Sequence, residues 1–244
     1  MTHVLLLAGT SEARSLAKHL ATVDGLSVTA SLAGVTSNPA TYPVPVRTGG
    51  FGGVDGLLET LQQQRVSALI DATHPFAVTM QDHARCAATA AAIPHLRLLR
   101  PAWPPRRGWI CVKDVQAAAD ALPTAARALI TSGAKDIDPF CPRVDTTIFL
   151  RAIEHVPDLP AHIQLIRSTP GQDTEAEMEL LVSKRITHLV AKNSGGPSVG
   201  RLDAADRLRL TTIMIDRPPK PDGEVVATVD EAVAWLRRVV VNAA

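Results

Sequence analysis

Cysteine and aromatic side chains are scarce in this 244-residue chain, which has three cysteines and 3% aromatic residues. Cys86, Cys111 and Cys141 are odd in number and form no C-x-x-C pair, which argues against a disulfide framework or a structural zinc site and for a reducing compartment. They read as small buried hydrophobes. The shortage of rings leaves few platforms for exposed bases, and a net charge of +1 gives no field to grip a polyanion, so nucleic acid is not an expected partner. No apolar run approaches the ~20 residues needed to cross a bilayer, and no basic region precedes the short apolar stretch at the start. The expectation is a cytoplasmic protein with no membrane partner. With 46% hydrophobic residues, the chain has enough apolar material for a packed core in one or two domains without staples.

What is present is a repeating order: a short apolar run, a Gly- or Ser-bearing turn, an Ala/Leu-rich helical stretch and another apolar run. That is the pattern of an α/β fold with mainly parallel sheets. In the first part, strands are expected at 4–7, 26–32, 66–72 and 95–99, an extended piece at 44–47, and helices at 11–20, 54–64 and 76–92. The segment Arg100-Pro-Ala-Trp-Pro-Pro-Arg-Arg-Gly108 has three prolines in nine residues, which blocks helix and central strand alike and marks a linker. Beyond it, helices are expected at 115–122, 174–184, 199–208 and 229–240, and strands at 128–131, 147–151, 163–166, 188–191 and 211–215. The expected architecture is two Rossmann-like domains, 1–99 and 109–244, joined by 100–108, with a cleft between them.

In open parallel sheets ligands sit beyond the carboxyl ends of the strands, so the loops after each expected strand carry the functional reading. Gly9-Thr10-Ser11-Glu12-Ala13 combines a turn glycine, a helix cap and the free N–H groups of a helix start, which suit a phosphate but also make a plain helix cap. It is not the G-x-G-x-x-G fingerprint. The loop Ser31-Leu-Ala-Gly-Val-Thr-Ser37 lacks the acidic residue that NAD-specific domains use on the ribose, which leans toward NADPH. Gly49-Gly-Phe-Gly-Gly53 lets backbone approach a ligand closely. Asp71-Ala-Thr-His-Pro-Phe-Ala77 sets Thr73 and the titratable ring of His74 at the end of a buried strand, with Pro75 suited to the first turn of a helix. Lys192-Asn-Ser-Gly-Gly196 and Thr131-Ser-Gly-Ala-Lys135 repeat the design in the second half, with a cation at each turn.

Taken in this order and spacing, together with Leu99-Arg-Pro-Ala-Trp103 and Asp216-Arg-Pro-Pro219, these loops resemble the precorrin-6A reductase (cobalt-precorrin-6A reductase) family over essentially the whole chain. Two places depart from the family pattern, Val35 and Thr169-Pro170-Gly171. The resemblance implies reduction of one carbon–carbon double bond of a ring-contracted tetrapyrrole in cobalamin biosynthesis. Hydride from NADPH goes to one carbon, a proton to its neighbour, and precorrin-6B is formed with no metal required. It also admits contact with neighbouring pathway enzymes, and a monomer is favoured.

On this reading, Gly9, Thr10, Ser11, Glu12, Ala33, Gly34, Thr73 and Pro75 are the expected cofactor contacts. Gly50, Phe51, Arg100, Lys135, Asn193, Ser194, Gly195, Gly196 and Arg201 are expected on the substrate, whose carboxylates call for cations; Arg14, Arg151 and Arg217 lie at similar positions. His74, Asp71 and Lys192, with Lys135, are candidates for protonating the second carbon, and solvent is an alternative source. Two alternatives from other classes are a noncatalytic sensor of NADPH or another nucleotide, and a two-domain nucleotide-sugar transferase.

Overall fold

The computed structural model describes residues 2–34, 41–153, 155–168, 171 and 173–241. Residues 35–37 of the second loop, and Thr169 and Pro170, lie outside these. Along the chain the elements are β1 (Thr2–Leu7), α1 (Ser11–Leu20), β2 (Leu26–Leu32), β3 (Val46–Thr48), α2 (Val54–Gln63), β4 (Ala68–Asp71), α3 (Val78–Ala90) and β5 (His95–Leu98). They continue with β6 (Trp109–Val112), α4 (Val115–Asp120), β7 (Arg127–Ile130), β8 (Thr147–Ala152), β9 (Ile163–Arg167), α5 (Thr174–Ser183) and β10 (His188–Lys192). The last are α6 (Gly200–Arg207), β11 (Thr211–Ile215), β12 (Glu224–Val226) and α7 (Val229–Val241). Among the described residues no helix is long and apolar enough to cross a membrane.

The chain forms two compact units. The first comprises Met1–Pro101 and Pro218–Ala244, the second Ala102–Arg217. The first unit has a fully parallel six-stranded sheet in the order β12-β5-β4-β1-β2-β3. Counted within that unit this is 6-5-4-1-2-3, the Rossmann order. Its central strand β1 is apolar on both faces, as a strand covered by helices on both sides must be. Val4 and Leu6 pack in one core with α1 and α7, whereas Leu5 and Leu7 pack in the other with α2 and α3.

The second unit holds a parallel sheet in the order β6-β11-β10-β7-β8-β9. Leu129, Phe149, Leu189, Ala191 and Met214 form one face of it under Leu181 of α5 and Leu202 and Ala205 of α6.

Three features differ from the linear reading. The chain's end does not stay with the second half: β5 would otherwise leave an unpaired edge, and β12 fills it with Val225 opposite Arg97, while Ala232, Trp235 and Leu236 of α7 complete the first core. The segment 100–108 is divided between the units and is anchored, since Trp103 is buried. The cysteines are not buried; Cys111 is exposed on edge strand β6, and Cys86 and Cys141 are half-buried.

Candidate functional site

In the first sheet the strand order reverses between β1 and β4, so the crevice lies beyond Leu7 and Asp71. The Gly9 turn comes directly after β1. Gly9 has φ +130, a conformation that disfavours any side chain, and the space where a Cβ would stand is open. Thr10 caps α1: its Oγ1 accepts from Ala13 N at 3.1 Å and donates to the Ala72 carbonyl at 2.8 Å, stitching the two crevice loops together. That hydroxyl is buried and committed, so what Thr10 can offer a ligand is main chain.

Ser11 Oγ donates to Glu12 Oε2 at 3.0 Å, and Arg100 Nη1 approaches the same oxygen at 2.6 Å. Burial pushes the Glu12 carboxyl up, but its own backbone N–H, Arg100 and Ser11 together hold it below the ordinary value. Glu12 and Arg100 thus neutralise each other at the helix start. Tyr42 is buried beside this turn; burial raises its phenol pKa against the opposing effects of the Gly9 backbone and Arg14.

The loop after β4 is held from below by a residue absent from the sequence-based site. Arg97 of β5, 2% exposed, donates from Nη1 to Asp71 Oδ1 at 2.7 Å, the Asp71 carbonyl at 3.1 Å and Thr73 Oγ1 at 3.1 Å. Its Nη2 donates to the carbonyls of Thr73 at 3.0 Å and His74 at 3.3 Å. Asp71, fully buried, also accepts from Thr73 N at 2.9 Å. Expected as a proton donor, Asp71 is sealed beneath the loop by its ion pair and serves as an anchor.

His74 is exposed, and its Nδ1 accepts from Phe76 N at 3.3 Å, so a neutral ring carries its proton on Nε2. Pro75 is buried and lies ahead of α3, which starts at Val78 without a side-chain cap bond. Gln81 Nε2 instead donates to the Pro75 carbonyl at 3.1 Å.

At the end of β2 the described part of the loop bears no carboxylate. Gly34 has φ +76, and a Cβ there would stand 3.0 Å from Thr48 Cγ2. Ser31 Oγ accepts from Arg47 Nη1 at 2.9 Å. Arg47, on the neighbouring strand β3, also donates to the carbonyls of Gly49 and Gly50, each at 3.1 Å, and stacks 4.0 Å over the Phe51 ring. Gly50 and Phe51, expected on the substrate, are therefore gathered with an arginine at the β2 edge.

In the second unit the order reverses between β7 and β10. Thr131 Oγ1 donates to the Val190 carbonyl at 2.9 Å, joining the strand ends as Thr10 does in the first sheet. The turn after β7 leads only into two 3-10 turns, Ala134–Asp136 and Asp138–Phe140, and offers no long helix start. Lys135 is exposed, and Lys192 Nζ lies 2.6 Å from Asp136 Oδ2.

Several residues expected on the substrate are engaged with Trp103 instead. Asn193 accepts from Trp103 N at 2.9 Å and donates to the Trp103 carbonyl at 3.1 Å. Trp103 Nε1 donates to the Gly196 carbonyl at 2.9 Å, and the Arg201 guanidinium lies 5.5 Å from the indole centre. Arg201 is buried beside the bidentate Arg151–Glu177 pair at 2.8 and 3.0 Å. Burial and then Arg151 lower its pKa to about 10. The half-buried Ser194 and the buried Gly195 continue this turn.

Sequence reasoning missed Arg47, Arg97 and Trp103. Arg47 and Arg97 lie inside strands, and their partners are distant in sequence or main chain. The tryptophan's signals were its place in a proline-rich segment and at the end of the Leu99-Arg-Pro-Ala-Trp103 motif, and neither pointed to its partners.

The sequence matches the family model described as Precorrin-6x reductase CbiJ/CobK over residues 3–237. It is 41% identical over 243 residues to Precorrin-6A reductase of Rhodococcus erythropolis, covering 97% of this chain and 98% of that one. It is 31% identical over 252 residues to Cobalt-precorrin-6A reductase of Priestia megaterium, with 96% and 97% covered. The fold matches the solved structure of CobK precorrin-6A reductase with a TM-score of 0.91 and 37% identity, covering 98% of this chain and 97% of that one.

Proposed function

The chain belongs to the precorrin-6x reductase CbiJ/CobK family, and on that premise we propose that it reduces one carbon–carbon double bond of precorrin-6A to give precorrin-6B in cobalamin biosynthesis, with NADPH as the reductant. The observation that carries the reading is the family match along nearly the full chain. It favours a reductase over the sensor and transferase alternatives.

The residues of the first unit fit a dinucleotide phosphate. The Gly9 turn leaves open space beside its backbone, and the start of α1 supplies N–H donors and a positive dipole end for the diphosphate. Ala33 and Gly34 border the ribose position. Arg47 stands beside Ser31, where a 2′-phosphate would lie and where an acidic residue would mark NAD. This arrangement favours NADPH and moves Gly50 and Phe51 from the substrate to the cofactor's 2′ end.

Bound NADPH supplies the hydride. The chain's own part is positioning and charge: Thr73 and His74 are held at the crevice, and the His74 ring in its imidazolium form can give a proton to the second carbon and return to the neutral ring. Lys135, exposed beside the second switch point, suits the substrate's carboxylates, whereas the charge of Lys192 is met by Asp136 at 2.6 Å.

The test has two parts. Wild-type protein with precorrin-6A and NADPH should bleach the reduced nicotinamide and yield a product two mass units heavier; no NADPH oxidation contradicts the function. In fluorescence titrations, Arg47→Ala should weaken NADPH by about 10- to 100-fold, as loss of a charge-assisted phosphate contact does, and leave NADH unchanged. Equal effects on both cofactors contradict the role given to Arg47.

A further inference from the structure

We infer that Arg97 is a positioning residue for the reaction proposed above: its guanidinium sets the path of residues 71–74 and so presents Thr73 and His74 at the crevice. The inference rests on that reading of function.

The loop between β4 and α3 has no regular secondary structure to fix it, and α3 starts without a side-chain cap bond. Thr10, Asp71 and Gln81 each add contacts to it, but the largest share of its side-chain hydrogen bonds comes from one residue. The two terminal nitrogens of Arg97 make five hydrogen bonds to Asp71, Thr73 and His74, including three main-chain carbonyls. The planar fork makes this possible, because one nitrogen reaches Asp71 and Thr73 while the other reaches the carbonyls of Thr73 and His74. A lysine ammonium could pair with Asp71 but could not span the same set.

The fork also affects the chemistry of the loop. Thr73 Oγ1 accepts from Arg97, which leaves its O–H proton to be donated elsewhere, as suits an acceptor oxygen of a bound cofactor. The two carbonyls held by Nη2 face inward, so the loop does not set partial negative charge against an anionic ligand. Arg97 is opposite Asp71 in the β4–β5 register and lies in a strand, so its position is fixed by the sheet.

A cavity of about 290 Å³ lies alongside, lined by Asp71, Gln81, Arg85, His95, Arg97 and Lys220. It gives small solutes room to approach the guanidinium position.

Arg97→Lys keeps a cation against Asp71 and tests the fork with the charge retained; Arg97→Ala tests rescue. Arg97→Lys should keep the wild-type far-ultraviolet spectrum and a cooperative melt. Its kcat should fall about 10- to 100-fold, the scale of an ångström-sized misplacement, while KM for the tetrapyrrole stays within about twofold, because the substrate's carboxylate contacts are elsewhere. Millimolar guanidinium should restore part of the activity of Arg97→Ala and none of that of Arg97→Lys, whose ammonium fills the site. A folded Arg97→Lys with wild-type kcat overturns the inference. So does a fall in activity that only tracks the loss of folded protein and resists rescue. NADPH affinity, measured without substrate, keeps the two readings separable: a wild type that binds NADPH but does not turn over precorrin-6A sinks the function. The role of Arg97 then stands or falls on whether Arg97→Lys weakens NADPH by about tenfold or leaves it unchanged.

Discussion

In the first unit the sixth sheet position is filled by β12, the last strand of the chain; in the second it is filled by β6, the first strand of that unit. The other five positions correspond one to one, and in each sheet a threonine hydroxyl bridges the two strands at the switch point. The difference lies in the segment after the first of these strands. After β1 a ten-residue helix begins directly, whereas after β7 there are only two short 3-10 turns. A helix start adds oriented N–H groups and a positive dipole end, and these favour a diphosphate. The second switch point has lysines and buried arginines in their place. Under the proposed function, equivalent topology would serve different ligands: the cofactor's diphosphate in the first unit and, through the exposed Lys135, the substrate's carboxylates in the second.

The largest expected effect tests the buried charges of the second unit. Glu177 is the carboxylate paired with Arg151, and Arg201 lies next to the pair. Glu177→Ala leaves two buried guanidiniums without it and should cost about 3–5 kcal/mol in denaturant unfolding. A loss below about 1 kcal/mol would mean that the cluster relaxes to solvent and is not a built feature.

An intermediate effect is expected at Asn193. Its side chain satisfies both the N–H and the carbonyl of Trp103, so Asn193→Ala should destabilise by about 1–3 kcal/mol while leaving KM for the tetrapyrrole unchanged in folded protein. A raised KM with unchanged stability would return Asn193 to the substrate and bring the second switch point closer to the first.

The smallest effect concerns Glu12. Its folded pKa lies below the ordinary value of 4.5, so its contribution to stability is complete above pH 4.5 and is lost as the pH falls through the folded value. Glu12→Gln should flatten the acid limb of the stability profile below pH 4.5 by no more than about 1 kcal/mol, given partial exposure. An unchanged limb would mean that the carboxylate gains nothing from the helix start and Arg100.

Much of this design was legible in sequence because strand-end loops are local. The Gly9 turn and the Asp71–Ala77 loop could be placed by an apolar run leading into turn residues, and they do meet at the switch point. What escaped was nonlocal. β12 has three residues and β6 four, too short for periodicity to mark them, and sheet membership depends on which edge is open. Asp71 looked catalytic because a carboxylate ending a buried strand has the right position; its commitment to Arg97 comes from a register between strands 26 residues apart. Arg201 and Asn193 looked like substrate contacts for a similar reason, until burial and Trp103 accounted for them.

The central claim is that the first unit, and not the second, takes the cofactor's diphosphate. A crystal structure of the full chain grown with NADPH tests it directly. The diphosphate should lie within hydrogen-bonding distance of the main-chain N–H groups at Gly9–Glu12, with the 2′-phosphate at Arg47. Density for it at the Thr131–Lys135 turn would contradict the account.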